Sequence, residues 1–240
     1  MDLLAAISRE SALFWATAAE ADPSLPVPSC PAWDVGDLVW HLGEVHWFWG
    51  SVVEQRASDP DSVEATKPPR PAAYPALVDW GRAQTARLVA LLGDCDDATR
   101  VWTWSPPHQN VGFIRRHQVQ EAAVHRWDLQ EAVRPPADPL ACADALDALD
   151  EFLAVTVPWA VNAERPLPGS VHLHCTDGAG EWTIGRDGDV TAGHARSDVA
   201  LRGGASDLLL VLFKRIDLAR VEVIGDGAVA AELLKRLNTG

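Results

Sequence analysis

The spacing of hydrophobic residues divides the chain into a helical part and a part with short strands. Over residues 2–21, leucine, isoleucine and phenylalanine recur at roughly helical spacing, as expected for an amphipathic helix with one buried face. Further helices are predicted from about 34 to 55, 74 to 92, 112 to 133 and 139 to 156, and proline-rich or polar loops separate them. Long helices with short connections favour an antiparallel bundle.

The start of the second helix is well marked. Asp34 follows the segment "DPSLPVPSCPAW" and is a preferred N-cap residue, while Asp37 occupies the N3 position near the positive end of the helix dipole. Trp33 and Leu38 stand at N′ and N4, the spacing of a hydrophobic staple. These residues predict that a helix carrying His41 begins directly after Asp34.

The pattern changes after "NAERPLPGS", near residues 160–168. Short, glycine-bounded segments that alternate or are β-branched predict strands at 171–177, 180–185, 199–204 and 220–226, with helices at 205–215 and 228–237. We therefore expect an α+β protein, in which a four-helix-type bundle over residues 1–162 precedes a small α/β domain over residues 163–240.

Composition and charge narrow the class of partner. Hydrophobic residues make up 48% and charged residues 22% of the chain, as in soluble globular proteins. The formal net charge is -14, and local basic clusters are no longer than dipeptides such as Arg115-Arg116 and Lys214-Arg215. A nucleic-acid-binding surface needs basic patches. We therefore expect no nucleic-acid or membrane partner, and a monomer or small homo-oligomer.

The chain gives no indication of export. Its first residues, "MDLLAAISRE", lack a cationic leader, and the longest apolar stretch, residues 152–161, contains a proline and is too short to span a bilayer. The four cysteines show no CxxC spacing and are expected to be reduced thiols. The predicted location is cytoplasmic.

The segment "QEAAVHRWDLQ" (120–130) carries the first candidate chemistry. Glu121 and His125 lie one helical turn apart, and Gln118 and Asp128 share their face. If that face is solvated, the pair contributes only a few tenths of a kcal/mol. If it points inward, the buried carboxylate and imidazole must be compensated, which a metal ion does well.

The metal hypothesis gains support when His41 is included. Alone, a histidine in an apolar stripe is best explained as a neutral core residue bonded to a backbone carbonyl. Together with Glu121 and His125 it completes the His₂Glu set of catalytic zinc, which leaves a fourth position open. Asp128 would then orient His125 or pair with Arg126, and His117 as a fourth ligand would make the site structural instead.

Other histidines receive less specific interpretations. His46, five residues after His41, is expected to face the surface or a loop. His172 and His174 alternate on a predicted strand, so they should share one face, taken to be exposed, with Cys175 on the opposite face.

Three segments resemble the mycothiol-dependent maleylpyruvate isomerase family, within the DinB-like metal-binding helical bundles. They are "CPAWDVGDLVWHLGEV" (30–45), "QEAAVHRWDLQ", and "ASDLLLVLFKR" followed by "VEVIGD" (205–226). The resemblance implies that His41, Glu121 and His125 bind Zn²⁺ or another divalent metal. It also implies mycothiol as a thiol cofactor, with its metal-bound sulfur as the nucleophile. A small-molecule electrophile would then undergo cis–trans isomerisation, as from maleylpyruvate to fumarylpyruvate, or S-transfer.

The sequence departs from the family at two places. Gln120 stands where many relatives have histidine, and "FKR" (213–215) replaces a "WGR"-like segment. Arg215 would bind carboxylates of an acidic substrate, as a catalytic residue, or cap the C-terminus of its helix. The alternative to an enzyme is a non-catalytic, metal-containing protein whose tryptophans line a ligand pocket, although tryptophans commonly fill cores.

Overall fold

A computed structural model describes residues 1–237, which form two compact units that divide between Asp138 and Pro139. The change in sequence pattern had placed this boundary later, between residues 162 and 163. The reason is helix α6 (Cys142–Val155), which packs on α8 (Ala205–Leu212) of the second unit. The indole of Trp182 also donates to Asp150 on α6, at 3.1 Å. The predicted α+β class is confirmed.

The first unit is a bundle of long helices. Helix α2 packs against α4, and α1 packs against α5. Helix α3 falls in a segment that was expected to be a loop, whereas the long helices agree with the sequence to within one or two residues. The bounds are α1 Leu3–Glu20, α2 Val35–Gln55, α3 Asp61–Glu64, α4 Tyr74–Gly93 and α5 Val111–Val133.

The start of α2 is a capping box. The Asp34 carboxylate accepts a hydrogen bond from the Asp37 amide at 2.8 Å, and the Asp37 carboxylate accepts one from the Asp34 amide at 3.3 Å. Asp37 also accepts from Arg70, which is the main reason that its pKa is lowered. The predicted N-cap is confirmed, and it fixes the start of the helix that carries His41.

Helices α2 and α4 approach closely because a glycine lies between them. A Cβ atom on Gly43 would lie 2.7 Å from Trp80 Cζ3 and 3.2 Å from the Cα atom of Gly81. Trp80 stacks on Trp40 of α2, with ring centroids 4.9 Å apart. The absence of a side chain at position 43 therefore lets the tryptophan lie flat against α2.

The second unit contains a five-stranded sheet in the order β3-β2-β1-β4-β5. Strand β1 is parallel to β4, and the other neighbours are antiparallel. The short strand β3 and helix α7 had no counterpart in the sequence-based prediction. The bounds are α7 Val157–Ala160, β1 Val171–Cys175, β2 Glu181–Ile184, β3 Val190–Ala192, β4 Val199–Gly203, β5 Glu222–Gly225 and α9 Gly227–Arg236.

Helix α8 ends at Leu212, three residues before its predicted end at 215. Lys214 adopts a left-handed conformation with φ 57°. Its amide donates to the Val211 carbonyl, and the Arg215 amide donates to the Leu210 carbonyl at 2.8 Å. This is the hydrogen-bond pattern of a Schellman motif, which terminates a helix. Within residues 1–237, no helix is both long and apolar enough to cross a membrane.

Candidate metal centre

Helices α2 and α5 bring His41, Glu121 and His125 together inside the first unit. One donor atom from each residue lies within 4.8 Å of the donors of the other two. The rings of His41 and His125 meet edge to face, with centroids 4.8 Å apart, and His125 Nε2 lies 3.3 Å from Glu121 Oε2. Two imidazoles and one carboxylate thus converge from two rigid helices.

The polar face of α5 points into the protein and not into solvent. Gln118 and Asp128 are fully buried, and His125 is almost so. Glu121 and His41 remain partly exposed. The solvated alternative is therefore wrong, because the inward face must satisfy its charges internally.

Glu121 is held in its ionised form. Burial raises the pKa of this carboxyl, but hydrogen bonds from His117 and His125, together with their charges, hold it well below its usual range. His117 Nε2 lies 3.4 Å from Glu121 Oε1, and His125 approaches the other oxygen. Among residues 1–237, His117 is not one of the three mutually close donors; it contacts Glu121 from the other side.

His125 is positioned by a second carboxylate. Its Nδ1 lies 3.0 Å from Asp128 Oδ2, and the other oxygen of Asp128 accepts a hydrogen bond from Ser29 at 2.6 Å. Burial lowers the pKa of His125, but the hydrogen bonds to Asp128 and Glu121 raise it to about 9. With Nδ1 donating to Asp128, Nε2 is the nitrogen directed at the cluster, as is usual where a carboxylate orients a ligand histidine.

Arg126 forms an ion pair with Glu10 of α1. Its guanidinium lies fully buried in the first unit, where Nε donates to Glu10 Oε2 at 2.9 Å and Nη1 donates to Gln130 Oε1 at 2.9 Å. This buried ion pair joins α1 to α5.

His46 was expected at the surface or facing a loop, and that expectation is wrong. The side chain is fully buried, and its Nδ1 lies 2.7 Å from Thr85 Oγ1. Thr85 also accepts a hydrogen bond from the Trp15 indole and donates to the Gly81 carbonyl. Because the Thr85 hydroxyl donates its proton to Gly81, His46 Nδ1 must be the donor to Thr85. The buried Nε2 of His46 then has no hydrogen-bond partner.

The electrostatic surroundings of His46 also connect it with the cluster. Burial lowers its pKa to about 3; the charge of Glu121 opposes this shift, whereas His125 and His41 add to it. His46 is therefore a neutral neighbour of the three donors. Its place on α2 could not reveal this, because it lies more than a helical turn from His41.

Trp33 lies beside the cluster and forms part of its wall. Its ring centroid is 4.8 Å from that of His41 and 6.4 Å from that of His125. The sequence suggested a staple role for this residue; the contacts with the imidazoles add a flat, apolar surface next to the donors.

Arg215 belongs to the second unit. Its Nη1 donates to the Phe213 carbonyl at 3.1 Å, and the guanidinium lies 5.8 Å from the centre of the Phe213 ring. Because Phe213 is the C-cap of α8, these contacts are those that the capping alternative requires.

The donor set fits a divalent metal ion. A His₂Glu set with a carboxylate-oriented histidine has the composition of a catalytic zinc site and leaves a position for a further ligand. No cysteine is among the three donors, so the set suits zinc and related divalent ions and not a thiolate-bound cluster.

Both units match domain models of one protein family. Residues 4–130 match the family model of the mycothiol maleylpyruvate isomerase N-terminal domain, and residues 143–232 match that of the C-terminal domain of the same family. Comparison with curated proteins gives no significant match.

Solved structures share the fold. The crystal structure of the mycothiol-dependent maleylpyruvate isomerase is 11% identical, with a TM-score of 0.61 over 92% of this chain and 91% of that one. The structure of a point mutant of that enzyme is 10% identical, with a TM-score of 0.58 over the same shares.

Proposed function

Because this chain belongs to the mycothiol maleylpyruvate isomerase family, we propose that it is a metal-dependent enzyme that uses a low-molecular-weight thiol, mycothiol, as its nucleophilic cofactor. Its substrate would be a small electrophile, such as an unsaturated acid. The reaction is either a cis–trans isomerisation, as of maleylpyruvate, or transfer of the thiol to the electrophile.

The observation that carries this proposal is the convergence of His41, Glu121 and His125 within 4.8 Å. These residues would hold Zn²⁺ or another divalent metal through two imidazole nitrogens and one carboxylate oxygen. Three protein ligands leave room for an exchangeable one. A bound metal would lower the pKa of a coordinated thiol and so make its sulfur a nucleophile at neutral pH.

The neighbouring residues set the protonation of the ligands and cover one side of the site. Asp128 holds the proton on His125 Nδ1, so a metal ion would have to displace only the Nε2 proton that His125 shares with Glu121. Glu121 is kept ionised by its two histidine partners. Trp33 covers one side of the imidazoles with an apolar ring and would limit the access of water to a bound thiol.

Arg215 donates to the Phe213 carbonyl and lies over the Phe213 ring, and its proposed role in substrate binding has a test of its own. If Arg215 binds substrate carboxylates, Arg215→Lys should raise KM for a dicarboxylate while the melting temperature stays unchanged. If it only caps α8, the same change should leave KM unaltered. The two outcomes separate the two alternatives.

The proposal is tested by assaying the zinc-loaded protein with mycothiol and maleylpyruvate. Nuclear magnetic resonance follows the double bond and distinguishes fumarylpyruvate, the isomerase product, from a thioether, the transferase product. We expect turnover that requires both metal and thiol. Glu121→Gln, which keeps the side-chain size but removes the ligand charge, should abolish turnover and remove the zinc ion held by this centre.

The matched control is His108→Gln, which removes a histidine that contacts Ser105 and lies outside the cluster. This variant should retain zinc and activity. Zinc bound without turnover on any thiol and electrophile pair would instead favour the non-catalytic, ligand-binding alternative. Absence of zinc from the wild type, even after incubation with the metal, would remove the metal hypothesis.

A further inference from the structure

A second group of metal-binding side chains lies in the second unit, apart from the proposed catalytic centre. His172 and His174 on β1, Glu181 on β2 and His194 after β3 each offer a donor atom, and these atoms lie within 4.8 Å of one another. Nothing in the proposed function requires these residues.

The pairing of the strands explains why they meet. His172 and His174 are two residues apart on β1, so they project from the same face of the sheet. In the antiparallel β1–β2 ladder, Glu181 stands directly opposite His174, and Thr183 stands opposite His172. Cross-strand neighbours on one face are close enough for their side chains to interact.

A glycine turn brings the fourth residue to this face. The Gly193 amide donates to the Glu181 carbonyl at 2.9 Å, and Gly193 adopts a positive φ of 102°. Glycine adopts this conformation without strain. The chain therefore turns directly after β3 and places His194 over Glu181, with Nδ1 3.3 Å from Oε2.

His172 gives the strongest indication of a ligand. Its side chain is only 4% exposed, and its Nδ1 lies 3.1 Å from the Thr183 hydroxyl. Its buried Nε2 has no hydrogen-bond partner and lies 4.0 Å from Glu181 Oε2. A buried polar nitrogen without a partner is costly. A cation at the centre of the group would bind the lone pair of His172 Nε2.

Glu181 provides the negative charge at the centre of the group. Oε1 lies 2.7 Å from His174 Nδ1, and Oε2 faces both His172 and His194. Three imidazoles thus surround one carboxylate. An exposed ion pair would need only one of them, and it would not leave a histidine buried with an unpartnered nitrogen.

We propose that His172, His174, Glu181 and His194 form a second divalent-cation site, suited to Zn²⁺. Four protein ligands make a closed, structural site, unlike the three-ligand centre of the first unit. Metal–ligand bonds of about 2.0–2.1 Å place tetrahedral ligands roughly 3.4 Å apart. Donors that now lie as much as 4.8 Å apart therefore need to approach by up to about 1.4 Å. The His194 side chain, which is 80% exposed, is free to rotate.

A bound metal ion would cross-link one edge of the sheet. It joins β1 and β2 to the segment that follows β3, the outermost strand. A metal bound only by the folded state stabilises it by mass action. Zinc should therefore raise the melting temperature even when the first centre cannot bind metal.

The test measures zinc per chain by plasma mass spectrometry after zinc loading and desalting, and zinc affinity by competition with a chromophoric chelator. The wild type should hold two zinc ions and His41→Ala one. In the His41→Ala background, Glu181→Gln and His194→Ala should each weaken the remaining site at least tenfold. Because position 194 is exposed, its replacement will not disturb the fold, and circular dichroism verifies this for both variants.

A cobalt spectrum provides an independent readout. Co²⁺ bound to His41→Ala should give the intense visible absorption of tetrahedral coordination, and the band should disappear in His41→Ala/His194→Ala. His108→Gln in the same background should change neither the zinc content nor the spectrum. The proposal is overturned if His41→Ala retains no zinc, or if the retained zinc is insensitive to the changes at positions 181 and 194. These results leave the proposed enzymatic function unaffected.

Discussion

The buried histidine of α2 leads to a sharp prediction about stability at low pH. His46 has its pKa lowered to about 3, first by burial and then by the nearby imidazoles. In an unfolded chain the same histidine titrates near about 6.5. Between these two values the unfolded chain binds a proton that the folded protein does not. The free energy of unfolding must therefore fall as the pH falls from 6.5 towards 3.

The size of the effect follows from this difference. One proton changes the free energy by about 1.4 kcal/mol per pH unit. At pH 5, His46 should thus reduce the stability by about 2 kcal/mol relative to its value above pH 7. This figure holds for any folded pKa well below 5. Since whole domains are stable by only about 5–15 kcal/mol, the loss is readily measured.

The assay is urea unfolding of the metal-free protein at pH 7.5, 6, 5 and 4.5, for wild type and His46→Gln. Glutamine keeps a hydrogen-bonding group near Thr85 but does not titrate. The other titrating groups are common to both proteins, so their contribution cancels in the difference. His46→Gln should be the less stable protein at neutral pH and should lose about 2 kcal/mol less than the wild type between pH 7.5 and 5.

Parallel stability curves for the two proteins would refute the reasoning, since they would mean that His46 binds its proton equally well in both states. His108→Gln serves as the control for removal of a histidine.

Three further predictions follow from packing and charge. Replacing Asp128 by Asn should weaken zinc binding about 10–100-fold in a chelator competition, since the orienting charge is lost while the shape is kept. Arg126→Met should cost up to about 3–5 kcal/mol in urea unfolding, because it leaves the buried Glu10 carboxylate with only the half-exposed Arg9 as its partner. The double variant Glu10→Leu/Arg126→Met should recover most of this loss, and an equally unstable double variant would contradict the account. Gly43→Ala should destabilise the first unit by about 1–3 kcal/mol in urea unfolding, because the added methyl meets an indole at 2.7 Å. Gly93→Ala, whose methyl has no neighbour closer than 3.7 Å, should be neutral or stabilising in the same assay.

Local patterns were sufficient for much of this fold. The Asp34–Asp37 cap and the helical spacing of apolar residues placed α2 correctly, because capping and helix periodicity depend on residues within one or two turns. The i,i+4 spacing of Glu121 and His125 likewise put both on one face of α5. The chemistry of a His₂Glu set then linked them with His41 on another helix, and resemblance to a family added support.

Interactions between distant residues decided the rest. The sequence could not tell whether the polar face of α5 was solvated, because its direction depends on how α1 and α2 pack against it. His46 was misplaced for the same reason, since its environment comes from Thr85 on α4. The division at residue 138 likewise depends on the packing of α6 against α8.

What the sequence by itself determined was the class of the fold, the long helices of the first unit and the identity of three candidate ligands. What only the tertiary structure decided was which polar groups are buried and which donors meet. The group formed by His172, Glu181 and His194 illustrates the difference, because no local spacing joins these residues. Strand register and a glycine turn bring them together, and both are set by pairing between segments that are separate in the sequence.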